Sequence, residues 1–366
     1  YGPAPATTGE GEKPTYGTVT SSLGELTLAM LMDLEYDDPM WKDLLNQLTY
    51  DESVTLVTAG SASLAGAVSV AAPGGKSQAG PCGIRDGNIL DSWMAFPCNG
   101  LLAASWNEPL VEKLGNAFGM EILHAGWTGI YGVGANIHRC AYSGRAWEYY
   151  SEDGFLSGKM FAAEVRGLQN RGVITFTKHY ALNDQERNRY GGTVWANEQA
   201  SREVYLKAFE AGVTEGHANG LMSSFNRIGC TWAGSHKGLM TGVLRDEWNF
   251  IGIVETDAGV GTHMLTAEAY AAGIVAGQAV WMAGANVHAF DNYKENPEVL
   301  WAIREAAHRN LYTQLHSNAM NGRTKGSKTL YVTPWWETAI RPGQIVSGVL
   351  AGVCLAMTVT SFVLPV

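Results

Sequence analysis

The sequence predicts an α/β protein: a TIM-like (β/α) barrel followed by a C-terminal transmembrane helix. From about residue 40 to residue 317, short β-branched or apolar runs that end in Gly or polar residues alternate with longer helical stretches. Six or more such units in roughly 280 residues suit a barrel of parallel strands better than an open sheet. Residues 345–366 carry no charge, and about 20 such residues are long enough to span a bilayer.

Composition excludes several classes of protein. The chain has 366 residues, of which 46% are hydrophobic and 16% charged, so there is enough apolar material for a core and the chain is not disordered. A formal net charge of -10 argues against nucleic acid as a partner, because phosphates repel an acidic surface. The 5 cysteines lack CxxC or Cys/His spacing. We therefore expect neither a zinc site nor a dense disulfide framework.

The elements of the globular part follow from local composition. We expect residues 1–20 to form a linker, because they are rich in Pro, Thr, Gly and Glu and have no apolar period. Because Tyr1 is not an initiator methionine, we expect the chain to be part of a longer protein. The barrel domain is predicted over 21–325, with a helix at Phe155–Asn170. The predicted strands are Thr55–Ala59, Gly129–Asn136, Gly172–Thr177, Gly220–Phe225, Gly252–Thr256 and Ala279–Ala283.

The C-terminal part has a different composition. We expect a juxtamembrane segment at 326–344 and a transmembrane helix at 345–366 that contacts the lipid bilayer. Trp335 and Trp336 precede this helix, where an interfacial aromatic belt would lie. A buried core helix is the alternative. Gly348 and Gly352 form a GxxxG pair, which on its own is a weak signal for helix dimerisation.

Charged and polar residues follow the predicted strands, and in a (β/α) barrel the working residues project from the carboxyl ends of the strands. We expect these ends to converge on one mouth, together with Arg145 and Arg189. Such a set can bind a polyhydroxylated ligand, because carboxylates accept from hydroxyls and cations donate to them. The cations would also keep Asp257 ionised, and an ionised carboxylate at a sugar's anomeric carbon is a nucleophile. The strand ends are Asn136–Arg139, Lys178–His179, Phe225–Arg227 and Thr256–Asp257.

The residues alone leave other roles open. Asp257 could be the N-cap of a helix that follows its strand. His179 could be a core histidine whose hydrogen bonds are satisfied, and Lys178 could be the Schiff-base lysine of an aldolase-type barrel. Glu148 lies in an acidic loop and could be a solvated turn residue.

Four motifs carry a resemblance to a known family: NIHRCAYSGRAWEYYSEDGFLSG (136–158), KHYALNDQERNR (178–189), LMSSFNRIG (221–229) and LMTGVLRDEWNFIGIVETD (239–257). Taken in order, they resemble glycoside hydrolase family 3, the β-glucosidase-type retaining glycosidases, and a weaker likeness extends from about residue 51 to 321. The segment KHYALND (178–184) is similar to the corresponding segment of the β-glucosidase branch, which implies neutral β-glycosides as substrates. The reaction of this family implies that no metal or organic cofactor is needed.

The resemblance implies a role for each matching residue. Asp257 matches the catalytic nucleophile, and the residues that match positions around the sugar of the −1 subsite are Arg85, Arg145, Lys178, His179 and Arg189. Three positions depart from the family pattern. Ala79 replaces an Asp that binds hydroxyls remote from the cleaved bond, and Ala258 replaces an aromatic residue of the sugar platform. Phe225, which we also expect at the substrate-binding site, replaces a Tyr beside the nucleophile.

The resemblance also implies a partner domain. Retaining hydrolysis needs a second carboxylic acid about 5–5.5 Å from the nucleophile, which this family usually places on an α/β-sandwich domain. We expect that acid upstream of Tyr1, as in members with reversed domain order. The expected protein is a membrane-anchored retaining β-glycosidase with an extracellular barrel. The alternative is a non-catalytic, membrane-anchored carbohydrate-binding module.

Overall fold

The computed structural model describes residues 3–84, 93–259, 263–327 and 334–363, with side chains of the last helix described to residue 360. The chain divides into two compact units, residues 1–327 and residues 328–366. The first unit holds the sheet and the second holds the C-terminal helix.

Helices make up much of both units. The α-helices are α1 Met40–Gln47, α2 Tyr50–Thr58, α3 Asn99–Ala104, α4 Glu108–His124, α5 Gly154–Gln169, α6 Glu198–Ala200, α7 Lys207–Thr214, α8 Ala267–Ala276, α9 Pro297–Leu315 and α10 Trp335–Val363. The π-helical segments are Ser201–Tyr205 and Gly238–Glu247. Short 3-10 turns lie at Leu28–Leu31, Val68–Val70, Ala146–Glu148, Ala233–Ser235, His263–Leu265, Asp291–Tyr293 and Asn318–Met320. The helix predicted at Phe155–Asn170 is confirmed as α5.

The strands form one large sheet and one small sheet. The strands are β1 Ser63–Leu64, β2 Gly75–Ala79, β3 Gly129–Tyr131, β4 Ile174–Tyr180, β5 Thr193–Val194, β6 Gly220–Ser223, β7 Arg227–Ile228, β8 Thr231–Trp232 and β9 Ile253–Thr256. The large sheet has the order β1-β2-β3-β4-β6-β9, and the small sheet has the order β5-β7-β8. All pairs of the large sheet are parallel except β1 with β2. The parallel sheet with its helical connections is the predicted TIM-like α/β fold.

The parallel strands are in register, so their carboxyl ends lie at one edge. Gly129 pairs with Ile174, and Gly220 pairs with Ile253. All of β4, β6 and β9 is buried. Buried strands of a parallel sheet are rich in β-branched and apolar residues, and the short runs of this kind in β4, β6 and β9 are why sequence analysis located these three.

Two short segments connect the edges of the large sheet. Val280 pairs with Glu255 of β9, and Met282 pairs with Ala59. On the other side, Ala62 accepts a hydrogen bond at 3.0 Å from the backbone N–H of Ser77 in β2. The predicted strand Ala279–Ala283 therefore occupies a strand position in the ring, although only isolated bridges form there.

The strand predicted at Thr55–Ala59 is wrong, because these residues belong to α2 up to Thr58. A capping box starts the helix: Thr49 accepts from the backbone of Glu52, and Glu52 accepts from the backbone of Thr49. The β-branched composition of the segment indicated a strand, but the cap and the helical packing decided its conformation.

The segment predicted as a linker lies along α9 in an irregular, extended conformation. The Asn296 side chain donates to the carbonyl of Ala6 at 2.7 Å, and the Trp301 indole donates to that of Glu12 at 2.9 Å. Arg304 donates to the carbonyl of Thr15. These bonds attach residues 3–18 to the first unit.

The second unit contains α10, which begins at Trp335, ahead of the predicted start at residue 345. Arg341 and Pro342 lie within it, and the side chains from residue 338 to residue 360 are exposed. By length and composition alone, Trp335–Thr360 could cross a membrane.

Candidate active site

A β-bulge in β4 places two adjacent side chains at the mouth of the barrel. Lys178 pairs with Met222 and Tyr180 pairs with Ser223, so β4 advances by two residues while β6 advances by one. His179 is the extra residue, and a bulge re-aims side chains that would otherwise alternate between the two faces of the sheet. Both Lys178 and His179 consequently contact other residues of the site.

Asn136 satisfies the backbone that the bulge leaves unpaired. Its side-chain oxygen accepts from the N–H of His179 at 2.7 Å, and its side-chain nitrogen donates to the carbonyl of His179 at 3.1 Å. All of these groups are buried. Sequence analysis noted Asn136 at a strand end but did not assign it this role.

Glu148 is a buried acid between two of the predicted cations. It accepts from the guanidinium of Arg145 and lies 3.2 Å from Nζ of Lys178. Burial lowers the pKa of Lys178, while Glu148 opposes that shift and favours the charged amine. The buried contact with Glu148 occupies the amine of Lys178, which argues against the Schiff-base alternative, and Glu148 is not a solvated turn residue.

Glu186 is a second acid of the site and lies between Arg145 and Arg189. Its carboxylate lies 3.8 Å from Nη1 of Arg145 and 3.3 Å from Nη1 of Arg189. Sequence analysis gave neither Glu148 nor Glu186 a role in the site. In each motif the acid lies three positions from an arginine, so the spacing contained a signal for the pairing.

Asp257 follows β9 and faces this network. Its Oδ1 accepts from the backbone N–H of Ala258 at 2.7 Å. Its Oδ2 is buried without a hydrogen-bond donor and lies 3.5 Å from Nε2 of His179 and 3.8 Å from Nη1 of Arg189. The next described α-helix, α8, is capped by Thr266, so Asp257 is not its N-cap.

Burial has the largest effect on the pKa of Asp257 and on that of His179. It raises the pKa of Asp257, opposed by the Ala258 N–H and by the cations Arg189, Arg145 and Lys178. Burial, assisted by the same cations, holds the pKa of His179 well below its ordinary value. The cations therefore moderate, rather than outweigh, the cost of burying Asp257, and His179 is a neutral imidazole.

Phe225 packs behind Arg189. The guanidinium of Arg189 lies 4.9 Å from the centre of the Phe225 ring and 5.1 Å from that of Tyr190. Phe225 is buried and contributes no hydroxyl beside Asp257, so it fixes the position of Arg189 by packing. Ala79 ends β2 and pairs with Tyr131.

Two predictions concern residues outside this network. Arg85 lies outside the described residues. Within the described ranges there is no group of three or more His, Cys, Asp or Glu side chains that could hold a metal ion. The polar groups described above could hold a sugar's hydroxyls, and the unpartnered Oδ2 could attack its anomeric carbon.

Comparisons with known proteins give similarities to beta-glucosidases. Residues 85–314 match the family model described as "Glycosyl hydrolase family 3 N terminal domain". The chain is 34% identical over 293 residues to beta-glucosidase BoGH3A of Bacteroides ovatus, covering 77% of this chain and 39% of the relative. It is 41% identical over 198 residues to beta-glucosidase A of Butyrivibrio fibrisolvens, covering 53% and 24% of the two chains.

A solved beta-glucosidase from Paenibacillus barengoltzii has a similar fold. It matches with a TM-score of 0.72 and 28% identity, over 88% of this chain and 36% of that chain. The chain thus spans well under half the length of the relatives that it matches.

Proposed function

The chain belongs to glycosyl hydrolase family 3, and from this premise we propose that it is the barrel part of a retaining β-glycosidase that hydrolyses small β-glycosides. One observation carries the proposal: Oδ2 of Asp257 is buried without a donor and faces the side chains of Arg189 and His179. An acceptor without a partner in a cationic setting is suited to approach the electron-poor anomeric carbon.

In the proposed reaction, Asp257 attacks the anomeric carbon and forms a glycosyl ester while the leaving group departs. Arg145, Lys178 and Arg189 donate to hydroxyls of the sugar, and neutral His179 orients it through Nε2. Water then hydrolyses the ester. We place the acid that protonates the leaving oxygen on a sandwich domain outside this sequence. General acid catalysis contributes about 10²–10⁴-fold, so this chain alone should turn over ordinary glycosides slowly.

The test uses a substrate that needs no acid. A dinitrophenyl 2-fluoro-glucoside has a good leaving group and leaves a long-lived ester on the nucleophile. We expect one adduct on Asp257 by peptide mass spectrometry, and none in Asp257→Asn. Labelling of another residue, or no labelling at saturating reagent, would contradict the proposed mechanism.

A non-catalytic carbohydrate-binding module is the second candidate. Ala79 and Ala258 favour it, because the resemblance implies that both positions usually contact the sugar. Under this alternative the chain binds glucose, as measured by calorimetry, but the fluoro-glucoside leaves Asp257 unmodified.

We also propose that α10 anchors the chain to a membrane with the barrel on the extracellular side. The support is its length and its exposed apolar side chains. The full chain should stay with membranes after alkaline carbonate extraction, while a chain ending at residue 327 should be released. Release of both chains would contradict the anchor, and protease protection of the barrel in intact cells would contradict its orientation.

A further inference from the structure

An exposed aromatic ring lies beside the buried network of the candidate site. Tyr190 follows Arg189 in the chain, and its ring centre lies 4.6 Å from that of Phe225. Arg189 contacts both rings and also faces Asp257 through Nη1 at 3.8 Å. Tyr190 is therefore separated from the carboxylate by one guanidinium group.

The backbone holds Tyr190 in this position. Arg227 donates from Nη1 to the carbonyl of Gly191 at 2.9 Å. Gly191 has a φ of +84°, and a Cβ there would lie 2.9 Å from Nη1 of Arg227, so glycine is needed for this turn. Strand β5 then pairs with β7 directly after the turn. The ring of Tyr190 is thus placed before any ligand binds, which reduces the entropy lost on binding.

Exposure increases along the network and indicates which part of a substrate reaches Tyr190. The side chains of His179, Asp257 and Arg189 are 1%, 14% and 18% exposed, whereas Tyr190 is 64% exposed. A sugar that reaches Asp257 occupies the buried end. The group attached to its anomeric carbon extends outward, toward the exposed ring.

Two buried polar atoms indicate that a ligand belongs here. Oδ2 of Asp257 has no hydrogen-bond donor, and Nη1 of Arg189, which lies 3.3 Å from the carboxylate of Glu186 without forming a well-aligned hydrogen bond, faces Oδ2 at 3.8 Å. On the other side of Asp257, Ala258 supplies no ring. An aromatic side chain that is rigidly backed and half open to solvent is suited to stack on a flat ring.

Resting on the proposed function, we propose that Tyr190 is the platform for the leaving group and selects β-glycosides whose leaving group is itself a ring, aromatic or pyranose. The buried end of the site binds the first sugar. Tyr190 stacks on the face of the second ring and so contributes to affinity rather than to the attack by Asp257.

The test compares two reagents that label the same carboxylate. Dinitrophenyl 2-fluoro-glucoside has a ring as its leaving group, and 2-fluoro-glucosyl fluoride has none. In both, the oxygen of Asp257 bonds to the anomeric carbon as dinitrophenolate or fluoride leaves. We expect Tyr190→Ala to raise the concentration for half-maximal labelling about three- to tenfold for the dinitrophenyl reagent only. Tyr190→Phe, which keeps the ring, should match the unaltered chain for both reagents.

The fluoride reagent also reports whether the variant is folded. Trp106→Ala is the matched control, because Trp106 is an exposed aromatic residue at the turn between α3 and α4. It should change neither reagent's labelling. A sugar leaving group is tested by comparing how well a β-linked glucose disaccharide and glucose protect Asp257 from labelling. If the disaccharide protects better than glucose in the unaltered chain but not in Tyr190→Ala, the platform also binds pyranose rings. If the disaccharide still protects better in Tyr190→Ala, the platform binds aromatic rings only.

Two results would overturn the inference. Equal losses with both reagents would place Tyr190 against the first sugar, and no loss with either would remove it from the site. In both cases labelling of Asp257 in the unaltered chain would leave the proposed function standing. No labelling of the unaltered chain by either reagent would reject the proposed function together with the platform.

Discussion

Replacing Asn136 with Ala tests whether its amide stabilises the bulge that positions His179. The substitution leaves the N–H and the carbonyl of His179 buried without the partners that they now have at 2.7 Å and 3.1 Å. Each unsatisfied buried group costs about 1–3 kcal/mol, so we expect the free energy of unfolding to fall by about 2–5 kcal/mol. Urea unfolding followed by tryptophan fluorescence measures this change.

The control is Asn116→Ala. Asn116 accepts from an exposed arginine, Arg171, at 2.8 Å and 3.0 Å, and losing such a bond should cost less than about 1 kcal/mol. We also expect slower labelling of Asp257 in Asn136→Ala under conditions in which the variant is folded, because His179 is no longer fixed. A loss no larger than that of the control, with normal labelling, would refute the role of Asn136.

Three further predictions follow from buried charge. Glu148→Gln should lower the free energy of unfolding by about 3–5 kcal/mol, because it leaves Arg145 and Lys178 without their buried partner. The control Glu215→Gln, at the surface, should cost less than about 1 kcal/mol. Equal urea midpoints for the two variants would contradict this prediction. Burial raises the pKa of Glu164 from 4.5 to about 7, so its protonated form stabilises the fold below pH 4.5 and that contribution is lost as the pH rises to about 7. Glu164→Gln should therefore gain about 3 kcal/mol relative to the unaltered chain over that window, and a constant difference in urea unfolding would show the pKa to be ordinary. Because the carboxylate is the reactive form, labelling of Asp257 should decline as the pH falls through its raised pKa. Arg189 lowers that pKa, so Arg189→Met should move the decline to higher pH. An unchanged pH profile would show that Arg189 does not act on the carboxylate.

The sequence was informative where a local pattern determines structure. The apolar runs of β4, β6 and β9 are buried on both faces, so their strands and the edge where they end could be predicted. The shared edge also predicted that Lys178, His179 and Asp257 lie close together.

The remaining features depend on contacts between distant residues. The bulge at His179 arises from the register between β4 and β6, which no single segment specifies. Glu148 and Glu186 each lie three positions from an arginine, but their contacts with Lys178 and with Arg145 join different segments of the chain, and those pairings were not predicted. The segment Thr55–Ala59 was mistaken for a strand because its β-branched residues suit either structure, and the capping box before it was overlooked.

The way in which the two edges of the sheet are connected has a consequence for biosynthesis. Thr58 and Asn286 are joined by a hydrogen bond although they lie 228 positions apart. Such distant closure is slow, and it must wait until nearly all of the barrel has left the ribosome. Until then one edge of β9 has unpaired backbone groups, and a strand of another nascent chain could pair with it. Chains stopped before residue 279 should therefore aggregate, whereas a chain ending at residue 327 already carries both closing segments.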